Sequence, residues 1–143
     1  MELNTPGLAS SSKPGTFALV KQLDIHTTLW YYDAVLEFVQ SRAFTRRLDI
    51  LAKEHADDVL TNIENDLLQN PERGDLIQGT GGIRKSRAAD PSRGKGKRGG
   101  FRYMYYYIEQ DGQILLLMIF SKNEQDNLTA AQKKWLREHR EEL

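Results

Sequence analysis

The sequence predicts an α+β fold: an antiparallel or mixed sheet of four to five strands, an N-terminal helical hairpin packed on one face, and a C-terminal helix. Three observations predict it. Two amphipathic stripes of helical spacing occupy 42–69, strand-like segments separated by glycine-rich turns fill 75–122, and a capping-box sequence opens a last helix near 130.

Residues 1–16 are small and polar with two prolines and read as a tail, and 17–33 are more apolar without a clean period. The expected division is therefore an extension over 1–33, partly flexible, and a domain over 34–143. AVLEFVQS (34–41) alternates as a strand should. Phe44, Leu48 and Leu51 form one helical stripe, and Val59, Leu60, Ile63, Leu67 and Leu68 form another. One helix over 42–69 would be about 42 Å long, more than a small domain spans. The acids of EHADD (54–58) suit the first turn of a new helix, so two helices folded as a hairpin are expected, ending at Asn70-Pro71.

Beyond NPERG, DLIQ (75–78) is a short strand at most and GTGG (79–82) is a turn. IRKSRAA (83–89) is a strand, DPSRGKGKRGG (90–100) a loop, and FRYMYYYIE (101–109) a strand dense in aromatics. Asp111-Gly112 marks a hairpin connection to ILLLMIFSK (114–122), which is apolar on both faces and so reads as central and doubly covered. Thr129 and Gln132 have capping-box spacing, opening a helix from about 130 to 142. The helices are expected together on one side of the sheet.

Composition narrows the chemistry. The absence of cysteine excludes a disulfide scaffold, a thiolate metal site and a cysteine nucleophile, and it fits a reducing cytoplasm. His26, His55 and His139 are too far apart in sequence to form a ligand-spaced pair, so no metal and no cofactor is expected. No apolar run approaches the 18 or so residues of a membrane span, and MELNTPGLASSSKPG lacks the basic and apolar regions of a signal peptide.

A formal net charge of zero conceals a division. Segment 54–75 holds seven acids against one base, and segment 84–102 holds eight bases against one acid. Such a dense basic segment in a neutral chain points to a polyanion, nucleic acid before all. Strand alternation makes the placement specific. Phe101, Tyr103, Tyr105 and Tyr107 share one face, which should meet the helices. Arg102, Met104, Tyr106 and Ile108 share the other, which should look outward. If 83–89 pairs antiparallel with 101–109, Lys85 and Arg87 join Arg102 on that open face, with Lys122 at the end of the central strand.

Arginine forks and lysine point charges suit phosphate, and aromatics stack unpaired bases. Lys85, Arg87, Arg102, Tyr106 and Lys122 are the candidate catalytic residues, and Arg84, Arg93, Lys95, Lys97 and Arg98 the candidate RNA-binding residues. A lysine set among other cations is driven toward its neutral form and can serve as a base, whereas arginine is confined to charge stabilisation. The GTGG loop lacks the lysine and following helix of a phosphate-binding P-loop, and turn geometry explains its glycines better.

NP-x-x-GD, the I-x-GTGG-I-RK block, GKGKRGG-x-R followed by tyrosines, and KNE-x-x-N-L-T together resemble the RelE/HigB-like toxins of bacterial type II toxin–antitoxin systems, over about 35–143. The resemblance implies the RelE/ParE fold and a cytoplasmic, metal-independent endoribonuclease that cleaves mRNA on the translating ribosome. It also implies a cognate antitoxin, typically a helix-turn-helix, HigA-like protein. The family's basic residues fall on Lys85, Arg87 and Arg102, but its later arginine and tyrosine fall on Asn123 and Thr129. Two other expectations follow: a gyrase-inhibiting toxin on the ParE-like version of this fold, or a decayed toxin that only binds its antitoxin at the operator. Related toxins start near the first strand, so translation is expected to begin near Val35.

Overall fold

A computed structural model describes residues 16–24, 29–94, 96, 99–122 and 128–140; for 16–35 it describes the backbone alone. The chain forms a mixed sheet with helices on both faces. Strand β2 (Leu29–Gln40) leads into helix α1 (Arg42–Ala52), a 3-10 turn at Lys53–His55 and helix α2 (Ala56–Gln69). Strands β3 (Asp75–Leu76), β4 (Ile83–Ala88), β5 (Phe101–Ile108) and β6 (Gln113–Ser121) follow, and helix α3 (Ala130–His139) ends the described chain. Strand β1 (Thr16–Asp24) pairs antiparallel with β2 at the sheet edge, giving the order β1-β2-β6-β5-β4-β3. Among the described strands, only β2 and β6 pair parallel. The first domain strand thus begins five residues before the expected start at 34 and passes through Val35 unbroken.

Ser41 explains the sharp passage from β2 to α1. Its Oγ accepts from the Phe44 N–H (3.0 Å) as an N-cap and donates to the Leu117 carbonyl (2.7 Å). Leu117 is the residue skipped in the β5–β6 register, a bulge whose stranded carbonyl Ser41 satisfies. Phe44, Leu48 and Ala52 of α1 and Val59, Ile63 and Leu67 of α2 then pack in one cluster with Phe101, Tyr103 and Tyr105. The acids Asp57 and Asp58 fall in the first turn of α2, as the sequence indicates. The break between helices is made at Lys53, the only described non-glycine residue at positive φ (52°). This side chain is exposed, so Lys53→Gly relieves backbone strain without losing packing. We expect a gain of up to about 1 kcal/mol, offset in part by glycine's unfolded-state entropy, read as a raised urea midpoint at constant slope.

The tyrosine strand divides as its alternation requires. Tyr103 and Tyr105 are fully buried, Tyr107 packs against their cluster, and Met104 and Tyr106 belong to the opposite one. The Tyr105 hydroxyl accepts from the Gly74 N–H (3.0 Å) and donates to the Pro71 carbonyl (2.8 Å), clamping the α2–β3 loop. Tyr105→Phe leaves both backbone groups unpaired and should cost about 1–3 kcal/mol by denaturant unfolding. Burial pushes the Tyr103 phenol from 10.0 up to about 12 and raises Tyr105 as well. A folded-state value above the unfolded one means stability fully present below pH 10.0 and lost as pH rises through about 12. Alkaline unfolding curves should show this fall, and it should be shallower in Tyr103→Phe.

The expectation that all helices lie on one side is corrected by α3. Its one buried residue, Leu136, packs with Val39, Ile83, Leu115, Leu117 and Phe120 on the face away from α1 and α2. The physical reason was visible in β6: a strand apolar on both faces needs two covers. Thr129 and Gln132 complete the capping box that starts α3. Arg137 Nη1 donates to the Gly79 carbonyl (2.7 Å), pinning the helix to the GTGG turn. Gly79, Gly81 and Gly82 all take positive φ there (83°, 76° and 115°), so the glycines serve turn geometry.

Candidate phosphate-binding cleft

Because α3 covers only part of its face, the rest of the sheet surface remains open. In the β4–β5 ladder, Arg87 stands directly opposite Arg102, and Lys85 opposite Met104. Directly opposed residues share a face, with Cα atoms about 5 Å apart, and like charges so placed repel. The register that creates this opposition is enforced at both ends. Ile83 is fully buried at one, and Gly100 abuts the Ala88 carbonyl at the other, where a Cβ would come within 2.0 Å.

The opposed residues of this ladder, Arg87 with Arg102 and Lys85 with Met104, line a cleft of about 820 Å³. Lys85, Arg87, Arg102 and Lys122, four of the five candidate catalytic residues, lie in its wall. Two cations that the sequence reading missed join them: Arg73 from the α2–β3 loop and Lys133 from α3. Among the described residues, Asp75 is the one acid in the wall. Arg73 also meets Asp66 at 3.2 Å, so it is anchored rather than loose. Arg102 is half-buried, and its Nη1 is buried without a hydrogen-bond partner among the described residues. An unpaired guanidinium N–H away from water is costly, and an anion in the cleft would satisfy it. Met104 and Phe120 form an apolar floor, which lowers the local dielectric and strengthens any ion pair made above it.

The fifth candidate, Tyr106, does not line the cleft. It pairs with Ile83 and its ring lies beneath the Arg140 guanidinium, 5.0 Å from the ring centre. Gly82 closes on its edge, since a Cβ there would sit 3.0 Å from the ring. Tyr106 thus packs against Arg140 beyond the end of α3 and stands outside the cleft wall. Arg84 points to the other side of β4. Its Nη1 donates to the Glu72 and Gly74 carbonyls (2.9 and 2.7 Å), so it braces a loop. Arg93 is exposed and donates to the Gly99 carbonyl at 3.3 Å. It ends a 3-10 turn (Pro91–Arg93) capped by the Asp90 carboxylate, so the start of the basic loop has a definite shape. Lys95, Lys97, Arg98 and Asn123 lie outside the described residues. Thr129 serves as the N-cap of α3.

Lys133 escaped the sequence reading because α3 was assigned to the wrong face; Arg73 escaped because it stood as the lone base in an acidic segment. No family model matches the chain. Among the described residues, no helix is long and apolar enough to cross a membrane. The site is thus defined by its chemistry alone: a cleft in which six cations and one acid of the described residues surround an apolar floor.

Proposed function

We propose that the chain is an endoribonuclease toxin of the RelE/HigB-like kind, which cuts mRNA on the translating ribosome and is neutralised by a cognate antitoxin. The observation that carries this reading is the cleft itself: among the described residues, six cationic side chains from five separate parts of the chain line it, with one acid among them. Forcing Arg87 against Arg102 costs stability, and such violations of local rules mark functional sites. The sequence motifs described above and the order of helices and strands support the same reading.

RNA supplies its own nucleophile. The 2′-hydroxyl attacks the adjacent phosphorus, the P–O5′ bond breaks, and a 2′,3′-cyclic phosphate and a 5′-hydroxyl result. Arg87 and Arg102 would hold the two non-bridging oxygens as negative charge accumulates on them. Lys85, which stands opposite Met104 on β5 and Asp75 on β3 and beside both arginines, would receive the 2′-hydroxyl proton, and Lys122 would give one to the departing 5′-oxygen. A brief pulse of expression tests this function. mRNA cut within codons supports it, whereas intact mRNA with damaged DNA favours the gyrase-inhibiting alternative. Unimpeded growth with intact mRNA favours a decayed toxin.

A further inference from the structure

Beside the cationic cleft runs a second, apolar groove of about 430 Å³, between α3 and the sheet. Met104, Phe120 and Leu128 belong to both, so one floor continues from cations to hydrocarbon. Met118, Leu136 and Trp135 complete the apolar lining. Trp135 is 48% exposed, unusual for the largest side chain on a helix that has a core to pack against. It is held in place: its ring stacks on His139 at 4.6 Å and 18°, and His139 Nδ1 lies 2.8 Å from the Trp135 carbonyl.

We propose that this groove takes an unpaired base of the strand whose phosphates occupy the cationic cleft, with Trp135 as the stacking platform. The inference rests on the reading of the cleft as an RNA-phosphate site. It fits a nucleotide's own division into an anionic backbone and a flat apolar ring, joined as cleft and groove are joined. The six cations alongside favour a polyanion over an apolar peptide as occupant. The groove also carries Arg47 and Gln132, each anchored through one atom. Arg47 Nε donates to the Ile119 carbonyl (3.3 Å), and Gln132 Oε1 accepts from the Thr129 N–H (2.9 Å). Stacking on the face of the base by Trp135 is the proposed interaction, and it does not depend on which base is bound. A duplex cannot present such a face, so single-stranded RNA is selected.

The test uses the full chain with Trp30→Phe, which leaves Trp135 as the sole tryptophan of the two. The probe is a 2′-deoxy oligonucleotide, which binds but cannot be cut, with an abasic oligonucleotide of equal length as control. Saturable quenching of Trp135 by the first, none by the second, and roughly 5- to 100-fold weaker binding of the abasic strand are expected. Trp135→Leu should weaken binding of the base-bearing strand similarly, and Trp135→Phe should restore most of it. Equal affinity for both strands without quenching would overturn the base subsite and leave the phosphate cleft standing. Quenching by the antitoxin but not by the oligonucleotide would likewise overturn it, in favour of a protein-docking groove. If neither strand binds at low salt, the proposed function falls as well.

Discussion

Arg102→Ala should lower the rate of RNA cleavage by about 10²- to 10³-fold, the usual effect of removing one preorganised charge donor from a transition state. The same substitution should not destabilise the protein. Arg102 is forced against Arg87 in the β4–β5 register and buries an unpaired Nη1, so its removal relieves repulsion and an unsatisfied donor together. An unchanged or raised urea midpoint beside a collapsed rate is the signature of a residue kept for chemistry. A structural arginine gives the opposite pattern, as Arg84 should: it braces the Glu72 and Gly74 carbonyls, so Arg84→Ala loosens the loop without touching the cleft directly. Binding should also become less salt-dependent in Arg102→Ala, since one fewer phosphate is neutralised.

Gly100→Ala should be the most damaging alanine substitution among the described glycines, costing about 4 kcal/mol and preventing a stable fold in a marginal background. A Cβ at this position would lie 2.0 Å from the Ala88 carbonyl oxygen and 2.9 Å from the Asp90 nitrogen. Both are backbone atoms, so no side chain can move aside to absorb the clash. The strand would have to separate from β4 just where Arg102 is delivered opposite Arg87. Gly94 and Gly96 in the same loop have open space around them and should accept alanine far more readily. Gly94 has a positive φ of 60°, so Gly94→Ala should cost about 1 kcal/mol. Thermal unfolding of Gly100→Ala beside Gly94→Ala separates close packing from loop composition.

Much of the fold was legible because its signals are periodic. The stripes of Phe44, Leu48, Val59, Ile63 and Leu67 and the alternation of Phe101, Tyr103 and Tyr105 predict their buried faces, and these residues are buried. Most of the cleft was legible for the same reason, since alternation alone puts Lys85, Arg87 and Arg102 on one face once β4 and β5 pair. What periodicity cannot give is which cover lies over which face. The placement of α3 depends on long-range contacts, Arg137 with Gly79 and Arg140 with Tyr106, that no local pattern encodes. From that one misplacement Lys133 was overlooked in the cleft wall. β1 was missed because 17–33 shows no clean alternation, and a β-bulge between Val20 and Lys21 interrupts its register with β2.

The proposed reaction is tested most directly by mapping mRNA 5′ ends after a short pulse of expression, with Lys85→Ala/Arg102→Ala as the control. New 5′-hydroxyl ends inside translated codons, dependent on the intact pair of residues, are the predicted result. Intact transcripts under growth arrest, or cleavage undiminished in the double variant, would contradict it.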